Sequence, residues 1–165
     1  MTTTLTAEID VDAPIDTVYN QWTQFESFPE YLGAVKSVKQ IDDVRTHWTV
    51  SIGGREEEFF ADIVDQVPDD HISWQSTDGT FHAGRVDFVP RTTDDGHTGT
   101  HIKLLMEWEP QGFLETIGGA LNIDSAQARM DLERFKRFIE KRGTETGAWR
   151  GEVHGRQETG TEGSV

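Results

Sequence analysis

The sequence predicts an α+β domain in which a curved antiparallel sheet of about seven strands wraps around one long C-terminal helix. Three observations lead to this fold class. Apolar residues recur at every second position through much of the chain before Gly112, as they do in half-buried strands. Turn residues separate these segments at short intervals, which favours an antiparallel meander over parallel β-α-β units. Beyond Gly112 the apolar period changes to about 3.6 residues, which is the period of a helix.

The chain opens with a strand and two short helices. From Thr2 to Val11 apolar and polar side chains alternate, which predicts a strand with one buried face. Pro14 suits the first turn of a helix, and the apolar residues that follow it, up to Trp22, have the spacing of one helical face. The segment 25–32 contains a proline and predicts a second, very short helix or turn.

Six further strands are predicted in the middle of the chain. They cover residues 35–41, 46–52, 55–67, 71–76, 81–89 and 100–109. The Gly53-Gly54 pair is the strongest hairpin signal among them, because a two-residue turn between antiparallel strands requires positive φ angles.

The helical pattern over 113–142 is interrupted at Gly118-Gly119, and Asp124 with Gln127 has the spacing of a new helix start. Gly143 is a typical stop. We therefore expect one domain over 1–143, followed by a flexible C-terminal tail over 144–165 that is polar and rich in glycine. Trp149 stands out in this tail, and its sequence context agrees both with docking onto the domain and with exposure.

Composition excludes several classes of protein. The net charge of −15 opposes binding to phosphate backbones, so neither nucleic-acid nor membrane-surface binding is expected. The chain has no cysteine, which removes thiolate metal sites and cysteine nucleophiles. Neither a membrane-spanning segment nor a signal peptide is visible, so we expect a cytoplasmic protein, monomeric or homodimeric. The acidic surface agrees equally with a high-salt cytoplasm and with an ordinary acidic protein.

No phosphate-binding loop, dinucleotide fingerprint or nucleophile elbow is present, so no cofactor is expected. His97 and His101 have a spacing that can form a zinc pair on a helix. Here Gly96 and Gly99 place them in a turn and a strand start instead, so no metal site is predicted.

The inward faces of the predicted strands and the start of the last helix supply the candidate ligand-binding residues. They are Trp48, Phe59, Gln66, Trp74, His82, Phe88, Met106, Trp108, Phe113 and Ile117. Aromatic side chains suit planar or polyprenyl-like ligands, since they give a large contact area at low entropic cost. For each of these residues taken singly, packing in an ordinary core is the alternative. Gln66 could also be a solvated residue at a strand end.

His82 is the candidate polar group of the pocket, because it shares strand parity with Val86 and Phe88. Its imidazole could hydrogen-bond a ligand carbonyl or act as a general base. The alternative is a histidine whose ring is satisfied by a nearby backbone carbonyl. Arg85, with the opposite parity, is expected to face solvent or Asp87.

Three stretches resemble the START-like, helix-grip superfamily, and in particular polyketide cyclase/dehydrase-like and coenzyme-Q-binding-like proteins. They are residues 9–14 with Val18 and Trp22, residues 25–31 with 35–38, and residues 131–136. The resemblance covers about residues 1–143. It implies a ligand cavity between the concave face of the sheet and the long helix, but this superfamily includes carriers, sensors and enzymes.

The resemblance to aromatic polyketide cyclases breaks down at two positions. Those proteins carry an arginine just before the Val-Pro-Asp turn, where this chain has Gln66, and a tyrosine where it has Val35. The departures remove groups that the resemblance assigns to enolate and proton chemistry. The leading hypothesis is therefore binding of a hydrophobic polyketide-, quinone- or lipid-like molecule. The alternatives are a cyclase or dehydratase that uses His82, and a partner-binding regulatory module.

Overall fold

The computed structural model describes residues 3–52, 54–79, 81–108 and 125–154. Its strands are β1 (Thr3–Val11), β2 (Val35–Gln40), β3 (Arg45–Ile52), β4 (Arg55–Val67), β5 (His71–Ser76), β6 (His82–Thr92), β7 (Thr98–Trp108) and β8 (Val153–His154). The helices are α1 (Ile15–Trp22), a 3₁₀ helix η1 (Phe25–Glu30) and α2 (Ser125–Arg142). The α+β class and the two short helices after the first strand are confirmed.

Seven strands form one antiparallel sheet in the order β1-β7-β6-β5-β4-β3-β2. Strands β2 to β7 therefore follow one another as a meander, and β1 returns to pair with β7 along its whole length. This is the curled half-barrel that the alternating sequence pattern predicts. The two-residue β8 pairs with β4 outside this path.

The β3–β4 hairpin has the predicted form. Ile52 pairs directly with Arg55, and Gly54 has a φ of 80°. A positive φ of this size is costly for residues with a Cβ, which explains the glycine. Gly143 has a φ of 78° and ends α2 in the same way, as predicted from the sequence.

A bulge changes the parity of β4 near its end. The pairing with β5 shifts between Ile63 and Asp65, so that Val64 and Asp65 are both half-buried. Beyond the shift, Gln66 faces the interior and is 1% exposed. One inserted residue is enough to turn every later side chain to the other face.

Helix α2 covers the concave face of the sheet. Its buried residues follow helical spacing and are Ala128, Asp131, Leu132, Phe135 and Ile139. They join one core cluster with the inward side chains of the strands and with the aromatic residues of α1 and η1. The predicted interruption at Gly118-Gly119 and the new start at Asp124 lie outside the described residues.

The segment 144–154, which we call the strap, lies against the domain. Thr146 donates its backbone N–H to Gln21 Oε1 at 2.8 Å, and the backbone N–H of Trp149 donates to Thr23 Oγ1 at 3.1 Å. The strap then pairs with β4 through β8. Over 144–154 the chain is therefore docked and does not form the flexible tail expected from its polar, glycine-rich sequence, and for Trp149 docking was one of the two alternatives. Residues 155–165 lie outside the described part of the chain.

None of the helices in the described ranges is long and apolar enough to cross a membrane.

Candidate functional site

Most of the predicted ligand-binding residues share the concave face of the sheet. The buried ones are Trp48, Phe59, Gln66, Trp74, His82 and Phe88, and Met106 is half-buried against them. Trp108 pairs with His82 across β6 and β7, so its backbone lies at the same end of the sheet. Phe113 and Ile117 fall outside the described residues.

Four of these residues form what we call the tryptophan cluster: Trp48, Phe59, Trp74 and His82. The Trp48 ring stacks on Phe59 at 5.9 Å between centroids and on Trp74 at 5.7 Å, with interplanar angles of 15° and 24°. The His82 imidazole meets Trp48 and Phe59 edge-on at 5.6 and 5.1 Å. The strand pattern therefore brings together three nearly parallel aromatic rings, with the His82 imidazole at their edge.

The short helices add aromatic residues that the sequence interpretation missed. Phe25 and Phe28 of η1 contact both Trp48 and Trp74, with centroid distances between 5.7 and 6.4 Å. The three-residue spacing of Phe25 and Phe28 was the available signal, since it places both rings on one face of a 3₁₀ helix. Further aromatic contacts link this helix to α1 and α2 through Trp22, Tyr31 and Phe135.

Two local features fix the tryptophan rings. The Trp48 indole Nε1 donates to Thr46 Oγ1 at 2.7 Å, and Thr46 in turn donates to the carbonyl of Ala61. Gly84 lies opposite Trp74 on β6, and a Cβ at this position would be only 2.3 Å from the indole. The glycine therefore lets the Trp74 ring lie directly on the strand.

His82 is a buried titratable side chain with a strongly lowered pKa. It is 8% exposed, its Nε2 has no hydrogen-bond partner, and burial lowers its pKa to about 4. Desolvation by the surrounding rings disfavours the charged form, so the imidazole is neutral at physiological pH. Its backbone N–H donates to Ser76 Oγ at 3.0 Å, which anchors the start of β6 but leaves the ring nitrogen free.

Two indole donors are also buried without partners, Trp22 Nε1 and Trp74 Nε1. An indole N–H can only donate, so each of these groups calls for an acceptor. The buried polar side chains of the described part of the chain include no lysine and no arginine. The interior therefore offers hydrogen-bond donors but no buried cation.

Gln66 and Phe88 lie apart from the tryptophan cluster, beneath α1. Gln66 Nε2 donates to the hydroxyl of Tyr19 at 2.9 Å, and the Tyr19 ring meets Phe88 edge-on at 5.3 Å. Desolvation raises the pKa of Tyr19, so this hydroxyl stays protonated. The predicted site residues thus divide into an aromatic group and a smaller polar group.

The remaining candidates lie on the surface. His101 bridges Asp10 and Glu8, with nitrogen–oxygen distances of 2.6 and 2.7 Å, and the exposed ring of His97 pairs with Asp95 at 3.3 Å. Within the described ranges, no cluster of three His, Asp or Glu side chains could hold a metal ion. Arg85 pairs with Asp87 at 2.9 Å, which is one of the two positions expected for it.

A half-barrel of antiparallel strands closed by a C-terminal helix, with aromatic residues between them, defines the helix-grip fold of START-like proteins. Residues 11–140 match the family described as polyketide cyclase/dehydrase and lipid transport. Because this match spans most of the chain, the protein belongs to that family.

The chain is similar to three further proteins. It is 44% identical over 146 residues to an uncharacterized 17.2 kDa protein of Streptomyces lincolnensis, covering 88% of this chain and 95% of that one. A Deinococcus radiodurans protein of known structure is 25% identical with a TM-score of 0.67, over 86% of this chain and 98% of its own. The Zhui aromatase/cyclase of a Streptomyces species has a TM-score of 0.66 at 12% identity, over 90% and 100%. This last likeness concerns the fold alone.

Proposed function

We propose that this protein binds a neutral hydrophobic small molecule between the sheet and α2, with polyketide- and quinone-like molecules as the best-fitting class. The observation that carries the proposal is the unpartnered Nε2 of His82 inside the tryptophan cluster. Leaving a buried polar atom without a partner costs about 1–3 kcal/mol. Such an atom is therefore expected where function supplies the missing partner.

The shape and the donors of the interior support a planar, carbonyl-bearing ligand. The rings of Phe59, Trp48 and Trp74 are nearly parallel, so a planar molecule can continue their stack. The indole N–H groups of Trp22 and Trp74 require acceptors, which carbonyl oxygens provide.

A lipid with a free carboxylate fits less well. The buried side chains of the described residues include no cation to compensate its charge, and the whole chain carries −15. Burying an unpaired carboxylate is strongly unfavourable in a low-dielectric interior. Lipid-like ligands therefore remain within the proposal only when they are uncharged.

An enzymatic role is the second candidate, in which His82 removes a proton from a substrate folded in the same space. The neutral imidazole with a free Nε2 favours it, as does membership of a family described by cyclase and dehydrase activity. The low pKa of about 4 weighs against it, because general bases work best with a pKa near the working pH. We therefore assign His82 to hydrogen bonding first and to proton transfer second.

Fluorescence titration tests the binding proposal, because a ligand bound beside the tryptophan cluster changes the fluorescence of its tryptophans. We expect 2-ethylanthraquinone to quench the tryptophan emission of the full chain in a saturable way, and palmitic acid to leave it unchanged. His82→Phe keeps a ring against Trp48 and Phe59 but removes the nitrogen, so it should weaken binding about fivefold to tenfold.

The matched control is His97→Phe, since the His97 side chain is exposed and its ring pairs with Asp95 far from the tryptophan cluster. It should leave the affinity unchanged. Quenching that does not saturate, or equal affinity in wild type and His82→Phe, would overturn the assignment of His82. Turnover of a polyketide substrate that is lost in His82→Phe would favour the enzymatic candidate instead.

A further inference from the structure

Tyr19 and Gln66 form a polar pair that is as buried as the aromatic core. Tyr19 is 0% exposed and Gln66 is 1% exposed. The Gln66 amide uses its Nε2 to donate to the Tyr19 hydroxyl, and its Oε1 has no partner. The proton of the Tyr19 hydroxyl is then free to be donated, since the oxygen is the acceptor in this bond. The pair thus presents one open acceptor and one open donor.

The fold places this pair on the same concave face as the tryptophan cluster. Gln66 faces inward because of the β4 bulge, and its backbone pairs with Ile72, two residues before Trp74 on β5. Tyr19 lies on α1, where its hydroxyl meets the Gln66 amide and its ring contacts Phe88 edge-on. The pair and His82 therefore lie near opposite ends of β5, on the same face of the sheet.

Arg150 of the strap contacts Tyr19 and two residues close to the pair. Its guanidinium lies over the Tyr19 ring at 5.3 Å, donates to Asn20 Oδ1 at 2.6 Å, and pairs with Asp69 Oδ2 at 2.8 Å. Val153 of β8 pairs with the backbone of Gln66 itself. These contacts join α1, the β4–β5 turn and β4, the elements that carry Tyr19 and Gln66. The strap lies beyond residues 11–140, the part matched by the family.

We propose that the Tyr19–Gln66 pair is a second polar anchor of the ligand site, that it binds a hydroxyl group of the ligand, and that Arg150 is its positioning residue. This inference rests on the proposed function and adds a chemical requirement to it. A hydroxyl both donates and accepts, so one group can satisfy Gln66 Oε1 and the Tyr19 O–H together. A carbonyl can satisfy only the tyrosine, and a methyl group neither.

Two ligands of nearly equal shape separate this inference from the proposed function. They are 2-(hydroxymethyl)anthraquinone and 2-ethylanthraquinone, which differ by a hydroxyl in place of a methyl group. Wild-type protein should bind the hydroxymethyl compound at least about tenfold more tightly, as measured by tryptophan quenching or isothermal titration calorimetry. In Gln66→Leu the preference should fall to about twofold or less, while the affinity for the ethyl compound is retained. Tyr19→Phe is a second variant with the same expectation, should Gln66→Leu fail to fold.

The ratio of the affinities for the hydroxymethyl and the ethyl compound also tests the role of Arg150. Arg150→Gln should reduce the preference for the hydroxymethyl compound by about threefold or more, because Tyr19 loses the group that holds its ring in place. The matched control is Arg129→Gln, since Arg129 forms an exposed ion pair with Glu133 on α2. It should keep the wild-type preference. A change in melting temperature without a change in this ratio would show a merely structural role for Arg150 and overturn its assignment.

The outcomes are distinguishable. If wild type binds both compounds equally, the second anchor is wrong while the proposed function stands. If wild type binds neither, both are overturned for this class of ligand. If Gln66→Leu and Tyr19→Phe keep the full preference, the hydroxyl binds elsewhere and the pair is not an anchor.

Discussion

The buried imidazole of His82 makes the stability of the protein depend on pH. In the unfolded chain this histidine gains a proton near its ordinary pKa of 6.5, but in the folded protein only near pH 4. Between these values the unfolded state binds more protons, so the free energy of unfolding falls as the pH falls. The loss levels off below about pH 4, where it amounts to about 3 kcal/mol.

Replacing His82 by phenylalanine should remove this pH-dependent loss. The phenyl ring can keep the edge-on contacts with Trp48 and Phe59, while the unpartnered nitrogen disappears. At pH 7 we expect the free energy of unfolding to be unchanged or higher by about 1 kcal/mol. Urea denaturation at a series of pH values from 7 to 4 measures both effects. Wild type and variant losing stability in parallel would show that His82 is not the group that titrates.

Gly84 is the residue on which the position of Trp74 depends. Gly84→Ala places a methyl group 2.3 Å from the indole, so the ring must shift and break its stack with Trp48. We expect a loss of about 1–3 kcal/mol in the free energy of unfolding. Adding Trp74→Phe should recover part of this loss, because the smaller ring leaves room for the methyl group. Strictly additive effects in this double-mutant cycle would contradict direct contact.

At the scale of elements, the alternation of apolar residues located the strands to within a few residues. Side chains on β3, β5 and β6 face the way their parity predicts, as Trp48, Trp74 and His82 show. Gln66 does not follow simple parity from Ile63, because the bulge in β4 depends on pairing with β5 and leaves no mark in the sequence. Its inward position was therefore predictable only as one of two alternatives.

Helices and the strap were harder to place than strands. The segment 25–32 predicted a helix or turn, but not that Phe25 and Phe28 would complete the tryptophan cluster. Strap contacts involve polar side chains such as Arg150, which have no periodic signature. Strand parity alone placed the aromatic candidates Trp48, Trp74 and Phe88 on the buried face, while the bond between Gln66 and Tyr19 depends on long-range contacts.

The contact between α2 and the loop after η1 depends on Asp131. Its Oδ1 accepts hydrogen bonds from Gly33 N at 3.2 Å and from Gln127 and Arg134 at 3.1 Å each. Asp131→Ala removes all three, and we expect a loss of about 2 kcal/mol in the free energy of unfolding. Glu133→Ala on the exposed face should change it by less than about 0.5 kcal/mol. Equal effects of the two variants in urea denaturation would contradict this role of Asp131.

At the scale of the whole molecule, the net charge of −15 should make stability depend on salt. Repulsion among the carboxylates opposes the compact state, and salt screens it. Raising NaCl from 0.05 to 1 M should increase the melting temperature by about 3 °C or more. Asp43→Lys with Asp94→Lys lowers the net negative charge at exposed turns, and this variant should respond less. A melting temperature that falls with salt would contradict the repulsion argument.

The exposed large apolar side chains give little support to a partner-binding module. Within the described ranges they are Ile41 and Val44 beside the β2–β3 turn, Val89 on β6 and Met130 on α2. No single element carries more than two of them. Interaction surfaces usually need a larger contiguous apolar patch.

Native mass spectrometry of the full chain, purified from its own organism, tests the central claim most directly. Organic extraction of the same sample would then identify what is bound. We predict one neutral, carbonyl-containing aromatic molecule per chain, carrying at least one hydroxyl group. An empty protein that also gains no thermal stability from quinones and aromatic ketones would contradict the claim that the interior is a ligand site.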